Sequence, residues 1–124
     1  MNIPDNLYYT NNHEWVKIDN GIATIGITDY AQSELGDIIF IEFPDIGVNC
    51  NAGDSLGTIE AVKTVTDYYS PIEGRIAEIN NKLEENPDSV NTDPYDSGWI
   101  IKLDSFGEDR SALLSAKEYE KLVG

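Results

Sequence analysis

The sequence has few of the residues that make cross-links, metal sites and nucleophilic pairs. Cys50 is the only cysteine, so an intramolecular disulfide and a multi-cysteine metal site are both excluded. His13 is the only histidine. Neither a nucleophilic pair of His13 with Cys50 nor a metal site of His13 with carboxylates has a supporting motif. A single histidine beside Trp15 is more typical of a structural hydrogen-bonding group, so we expect no metal, no catalytic residues and no enzyme activity.

Basic residues and long apolar stretches are also scarce. Eight Lys plus Arg stand against 23 Asp plus Glu, which gives a net charge of -15 and opposes binding to nucleic acid or anionic lipid. The longest apolar run, residues 38–41, is too short to span a membrane. The N-terminal segment has neither a basic start nor an apolar core, so we expect a bacterial cytoplasmic protein. Its partners should be proteins with basic docking surfaces, although such acidity also serves solubility.

The remaining composition is that of an ordinary globular protein. Of 124 residues, 40% are hydrophobic and 25% are charged, which is enough to build one core without cross-links. We therefore expect residues 1–124 to form a single domain, and we expect a monomer.

Short β-prone runs separated by turn residues dominate the chain. Asn20-Gly21 predicts a tight hairpin turn between runs at 14–19 and 21–27. Further strands are predicted at 38–43, 56–60, 65–69, 72–79 (with a bend or bulge) and 99–103. The polar segment 80–95 is predicted to be a loop with at most one helical turn near 82–85. This pattern predicts a mostly β protein, a sandwich or flattened barrel.

Two helices are predicted beside the strands. Thr28 is a suitable N-cap for a short helix over residues 29–35, which Gly36 would end. Ser115 and Glu118 form a capping box that predicts a C-terminal helix. Four apolar residues should share the face of this helix that packs on the sheets: Ala116, Tyr119, Leu122 and Val123.

One lysine occupies a position suited to covalent modification. The runs 56–60 and 65–69 flank the short segment Ala61-Val62-Lys63-Thr64, which predicts a hairpin with Lys63 at or near its tip. A lysine at a tip projects from the body of the protein, so an enzyme can close around it. Turns also carry lysines merely for solubility, and the local pattern leaves that alternative open.

The hairpin resembles that of the glycine cleavage system H protein family. The resemblance rests on Glu60-Ala-Val-Lys63 and on Ser70-Pro-Ile-Glu-Gly74, whose glycine lies eleven positions after Lys63. Further motifs follow in the family's order and spacing: His13-Glu-Trp15, Gly26-Ile-Thr28-Asp, Leu35-Gly36-Asp37, Val90-Asn91, Asp93-Pro94-Tyr95, Gly98-Trp99 and Ser115-Ala-Lys-Glu-Tyr119. The chain departs from the family at Asn12, Ala61 and Asp96-Ser97. The resemblance implies a lipoyl-carrier fold of the barrel-sandwich hybrid type.

The resemblance also implies a function. The chain would be a non-catalytic carrier with lipoate joined to Lys63 as an amide. It would shuttle an aminomethyl group from a pyridoxal-phosphate glycine decarboxylase to a tetrahydrofolate-dependent aminomethyltransferase. A dihydrolipoyl dehydrogenase would restore the lipoyl disulfide, and lipoate-attaching enzymes would load the carrier.

Further site residues are implied by the same resemblance. Asn12, Glu14 and Asp67 would line a cleft that shelters the cationic aminomethyl amine. Glu60 and Gly74 would help the lipoate-attaching enzyme to recognise the hairpin. Without the resemblance, Glu14 would be interpreted as a solvated strand residue and Asp67 as a polar residue alternating with buried neighbours.

Other carriers are close alternatives. Biotin carriers centre on Ala-Met-Lys-Met, whereas this chain has Ala61-Val62-Lys63-Thr64. Lipoyl domains of 2-oxo acid dehydrogenases commonly read Asp-Lys-Ala and lack the strand with His13-Glu-Trp15 and the helix after Ser115. A relay that donates lipoyl groups to other enzymes, or a binding module that is never modified, remains open at this point.

Overall fold

The computed structural model describes residues 1–124, and nine strands arranged in two antiparallel sheets make up most of it. The strands are β1 Tyr8–Tyr9, β2 Glu14–Asp19, β3 Ile22–Ile27, β4 Ile38–Ile41, β5 Asn49–Cys50, β6 Ser55–Ala61, β7 Val65–Tyr69, β8 Gly74–Ile79 and β9 Ile101–Asp104. The six-stranded sheet has the order β1-β2-β3-β9-β8-β5, and the three-stranded sheet has the order β4-β6-β7. The prediction of a mostly β protein with a short helix and a C-terminal helix is confirmed.

The main core lies between the two sheets. Seventeen buried residues form one cluster, to which the six-stranded sheet contributes Ile25 and Ile76 and the three-stranded sheet contributes Ile59 and Tyr68. A second cluster of five buried residues lies under the C-terminal helix and includes Trp15. Burying aliphatic and aromatic side chains in this way stabilises the fold by roughly 1.5–3 kcal/mol for each fully buried residue.

The predicted first hairpin is present with a two-residue turn. Asp19 pairs with Ile22, and the intervening Asn20 and Gly21 have φ values of 50° and 76°. Asparagine and glycine are the residues that tolerate positive φ, which a tight turn between twisted strands requires. The local sequence alone therefore explains this turn.

Three helices accompany the sheets. The helix α1, Asp29–Leu35, is capped by Thr28, whose Oγ1 accepts from the N–H of Ala31 at 3.2 Å, and it ends at Gly36 with φ 80°. The short helix α2 is Ser89–Thr92, and α3 is Ala116–Val123. The capping box predicted for α3 is present, because Ser115 Oγ accepts from the N–H of Glu118 and the Glu118 carboxylate accepts from the N–H of Ser115. No helix is both long enough and apolar enough to cross a membrane.

The predicted apolar face of α3 is wrong at one position. Ala116 and Tyr119 are buried, whereas Leu122 is 50% exposed. At about 100° per residue, position 122 lies roughly 60° beyond Tyr119, at the margin of the stripe that Ala116, Tyr119 and Val123 define.

The polar segment 80–95 contains more structure than its composition predicts. A 3₁₀ helix covers Asn81–Glu84, close to the predicted turn, but α2 was not predicted. Each of these elements buries one apolar residue, Leu83 or Val90, in the main core. Two isolated apolar residues give no periodic signal, so the sequence did not indicate the second helix.

Candidate functional site

Lys63 lies at the tip of the β6–β7 hairpin, as predicted. The turn is closed by a hydrogen bond from the N–H of Ala61 to the carbonyl of Thr64 at 2.8 Å. The tip is also fastened to the body of the protein, because the N–H of Val62 donates to the carbonyl of Asp37 at 3.0 Å. The Lys63 side chain is exposed. Its backbone is therefore held in place while its side chain is exposed.

The stem of Lys63 passes over Gly36, at the end of α1. A Cβ at position 36 would lie 3.1 Å from Lys63 Cε, and Gly36 has φ 80°. A side chain at this position would therefore be strained and would crowd the lysine stem. Glycine at position 36 is thus favoured by the positive φ that ends α1, and its missing side chain also leaves the lysine stem uncrowded.

Asn91 in α2 holds the segment on which the tip rests. Its Nδ2 donates to the carbonyl of Gly36 at 2.8 Å, and its Oδ1 accepts from the N–H of Ile38 at 3.0 Å. The intervening Asp37 supplies the carbonyl that accepts from Val62. Asn91 belongs to one of the sequence motifs, but no local pattern predicts its bond to Ile38, because the two residues are 53 positions apart in the chain.

A cleft of about 130 Å³ opens beside α1. It is lined by Asn12, His13, Glu14, Ile27, Ala31, Leu35, Ile59, Thr66, Asp67 and Tyr68. All three residues predicted to share a cleft, Asn12, Glu14 and Asp67, therefore line the same one. Glu14 is buried, whereas Asn12 and Asp67 are exposed.

Glu14 is a buried carboxyl group in a largely apolar cleft. Its side chain accepts hydrogen bonds from Thr10 Oγ1 at 2.6 Å and from the N–H of Tyr69 at 3.2 Å. Burial raises the pKa of Glu14 to about 7, although both hydrogen bonds favour the ionised form and oppose the shift. Glu14 is only 2% exposed, so its interpretation as a solvated strand residue is wrong. The carboxyl group is near half ionisation at neutral pH and would gain from a cationic partner in the cleft.

His13 connects the cleft to the C-terminal helix. His13 Nδ1 lies 2.9 Å from Tyr119 Oη, which lies 2.7 Å from Thr28 Oγ1. Thr28 caps α1, so the buried Tyr119 hydroxyl links the start of β2 to the start of α1, two of the elements that line the cleft. Burial lowers the pKa of His13. These contacts are those of the structural histidine that the sequence predicted, but Tyr119 as its partner was not predicted.

The two residues predicted for recognition lie in different sheets. Glu60 is half-buried in β6, where it pairs with Val65 and with Phe40. Gly74 is buried at the start of β8 in the six-stranded sheet, opposite Cys50. A Cβ at position 74 would lie 3.0 Å from Leu103 Cδ1 and 3.1 Å from Phe106 Cβ. Packing therefore disfavours a side chain at position 74 whether or not an enzyme recognises the glycine.

Gly74→Ala should destabilise the fold. The added methyl group crowds Leu103 and Phe106, and overpacking of this kind costs about 2 kcal/mol. Urea denaturation of the variant and the parent measures the difference in free energy of unfolding. An unchanged free energy would contradict the packing argument, and slow lipoate attachment to a fully folded variant would show a separate recognition role.

A lysine at the tip of a fastened hairpin, on a flattened two-sheet body, defines a class of proteins that carry a covalently attached group. The family model for the glycine cleavage H-protein matches residues 7–124. The chain is 51% identical over 124 residues to the glycine cleavage system H protein of Listeria monocytogenes serotype 4a, with 99% of each chain covered. It is 52% identical over 122 residues to that of Listeria welshimeri, with 98% of each covered. A crystal structure of the glycine cleavage system H protein from Mycobacterium marinum superposes with a TM-score of 0.87 at 36% identity, covering 96% of this chain and 97% of the other.

The chain belongs to the glycine cleavage H-protein family. It is therefore a carrier subunit of the glycine cleavage system, in a family that bears lipoate. The alternatives of a biotin carrier and of a 2-oxo acid dehydrogenase domain are not favoured by these matches.

Proposed function

We propose that this chain carries lipoate as an amide on Lys63 Nζ and shuttles the aminomethyl group of glycine between the enzymes of the glycine cleavage system. It would receive the group at the pyridoxal-phosphate glycine decarboxylase and deliver it at the tetrahydrofolate-dependent aminomethyltransferase, and a dihydrolipoyl dehydrogenase would reoxidise the arm. The observation that carries the proposal is an exposed lysine on a hairpin tip that hydrogen bonds hold rigidly.

Residues around Lys63 fit an attached arm. The turn fixes the Lys63 backbone, and the absent side chain of Gly36 leaves space beside the lysine stem. Lipoate, when attached, supplies a disulfide that opens to accept the aminomethyl group. Tethering gives the group a high effective concentration at each docked enzyme.

The cleft lies within reach of the arm. Gly36 is beneath the lysine stem, and Leu35 and Ala31 of the same helix line the cleft. Five residues of helix span about 7.5 Å at 1.5 Å per residue. An arm of about 12 bonds extends on the order of 14 Å, so its end can enter the cleft. Glu14 would then pair with the cationic amine, with Asp67 and Asn12 at the mouth, and the apolar walls would exclude water.

Intact mass of the protein from its own cells, followed by mass analysis of its peptides, tests the attachment. A lipoyl adduct on a peptide containing Lys63 supports the proposal, whereas a biotinyl adduct or an unmodified chain opposes it. A glycine exchange assay with purified glycine decarboxylase then separates the glycine cleavage carrier from a relay that only donates lipoyl groups. A lipoylated chain with no activity in this exchange would contradict the shuttle role.

Glu60→Gln tests the recognition role of Glu60. The substitution keeps the size of the side chain and removes only its charge, so we expect a slower lipoate attachment, by about tenfold, with an unchanged fold. Initial rates of lipoylation measured by mass provide the test. If the variant is modified at the parental rate, Glu60 has no role in recognition.

A further inference from the structure

Exposed apolar side chains are concentrated around Lys63. Nine large hydrophobic residues of this chain are exposed, and four of them lie on or beside the hairpin that carries the lysine. These four, which we call the tip patch, are Ile39, Phe40, Val62 and Val65, exposed by 50%, 54%, 70% and 57%. Single exposed apolar residues are normal on protein surfaces, but a cluster beside a reactive group marks an interaction site.

The strand register brings the tip patch together. Phe40 pairs with Glu60, and Glu60 pairs with Val65, so their side chains form one row across the outer face of the three-stranded sheet. Val62 lies next to Lys63 in the turn immediately beyond this row. The pairing shifts by one residue between Ile38 and Phe40. Such a bulge breaks the alternation of the strand, and consequently Ile39 and Phe40 are both exposed.

Carboxylates border the tip patch. Glu60 lies within the row, and the exposed Asp37 and Glu42 flank strand β4. The whole chain has a net charge of -15. A protein that binds here should therefore offer an apolar surface with basic residues at its rim.

The reach of the arm indicates which partner the tip patch serves. Enzymes that react with the finished arm can hold its end in their active sites and remain on the order of 14 Å from Lys63. The enzyme that attaches lipoate has no such freedom, because its active site must contact Lys63 Nζ itself. Its surface must therefore cover the residues immediately around the lysine.

We propose that the tip patch is the docking surface for the lipoate-attaching enzyme. This inference rests on the proposed modification of Lys63. Lipoate and ATP first form a lipoyl adenylate and release pyrophosphate. The Lys63 ammonium then loses a proton, and Nζ attacks the carbonyl carbon of the adenylate. The C–N amide bond forms and the C–O bond to phosphate breaks. AMP leaves with the electron pair, and the second proton passes to solvent. The tip patch takes no part in these bond changes and supplies binding alone.

Polar substitutions at exposed positions test the docking surface. The triple variant Phe40→Thr, Val62→Thr, Val65→Thr removes apolar surface, and threonine retains a high preference for strands at positions 40 and 65. The matched control is Ile46→Thr, Val48→Thr, which changes residues that are 60% and 48% exposed beside β8 of the other sheet. Both apo proteins are incubated with a purified lipoate ligase, lipoate and ATP, and KM and kcat for the carrier are measured.

We expect KM of the triple variant to rise about 30-fold with kcat changed less than about twofold, and we expect the control to match the parent. Once fully lipoylated by long incubation, the triple variant should support glycine exchange by the decarboxylase at close to the parental KM. An unchanged KM of the triple variant for lipoate attachment would overturn the inference. The proposed function would still stand in that case, provided that the parent is lipoylated. An equal rise in KM in the decarboxylase assay would also overturn the inference, because the tip patch would then bind the decarboxylase as well. A triple variant whose oligomeric state differs from that of the parent would overturn it too, because the tip patch would then bind a second copy of the chain.

Discussion

Lys63→Arg should abolish glycine exchange and leave the chain at its unmodified mass. Arginine keeps the positive charge and most of the length of lysine, but its guanidinium stays protonated and does not form the amide. The Lys63 side chain is exposed, so the fold should not change. We therefore expect the thermal midpoint to stay within about 1 °C of the parent while activity falls below detection. Intact mass, thermal denaturation and glycine exchange with purified decarboxylase provide the three measurements.

Lys17→Arg is the matched control for this experiment. Lys17 is also exposed, but it lies in β2, away from the hairpin. This control should be lipoylated and active. A lipoyl adduct on Lys63→Arg, or glycine exchange by that variant, would place the attachment site elsewhere and would contradict the proposed function.

Glu14→Gln should stabilise the unmodified protein at pH 8. Burial raises the pKa of Glu14 from an ordinary value of 4.5 to about 7. The folded protein therefore binds more protons than the unfolded chain between these values, and its stability falls as pH rises through that window. Above about pH 7 the cost of ionised Glu14 is complete and is on the order of 3 kcal/mol.

The neutral amide avoids this cost but loses part of the hydrogen bonding. The Glu14 carboxylate accepts from both Thr10 Oγ1 and the N–H of Tyr69, whereas glutamine has only one acceptor oxygen. The lost hydrogen bond costs about 1 kcal/mol, which is subtracted from the ionisation cost that the variant avoids. The free energy of unfolding of Glu14→Gln should therefore exceed that of the parent by roughly 2 kcal/mol at pH 8, and this difference should disappear near pH 5. Urea denaturation at several pH values measures this trend. The exposed Glu78→Gln serves as control and should show no such trend, and a parallel pH dependence of parent and Glu14→Gln would contradict the assigned burial effect.

The same carboxyl group should make retention of the cargo depend on pH. A cationic amine in the cleft pairs with ionised Glu14, and ionisation increases as pH rises through 7. We therefore expect the parent to protect the aminomethyl group from hydrolysis better at pH 8 than at pH 6, relative to Glu14→Gln. Release of ammonia from the loaded carrier measures the hydrolysis. Equal protection by the two proteins at both pH values would show that Glu14 does not hold the amine.

Short-range signals in the chain were sufficient for several features. Asn20-Gly21 specifies its turn because these residues tolerate positive φ, and Thr28 and Ser115 specify helix starts because their hydroxyl groups accept from backbone N–H groups within three residues. The position of Lys63 between two β-prone runs specified its place on the hairpin tip. In each case the partners are neighbours in sequence, so the local pattern contains the whole interaction.

Features that depend on distant partners became visible only in the folded chain. Glu14 is buried by residues from several strands and one helix. Asn91 hydrogen bonds to Gly36 and Ile38, which are 55 and 53 positions away. Tyr119 connects His13 to Thr28 from the other end of the chain. The bulge that exposes Ile39 and Phe40 likewise arises from pairing between β4 and β6. A run of four apolar residues predicts a strand but not which side chains are covered, because burial depends on what packs against the strand. The amino-acid order thus specified turns, caps and the place of Lys63 on the hairpin tip, whereas long-range packing produced the cleft, the raised pKa of Glu14 and the apolar surface around Lys63.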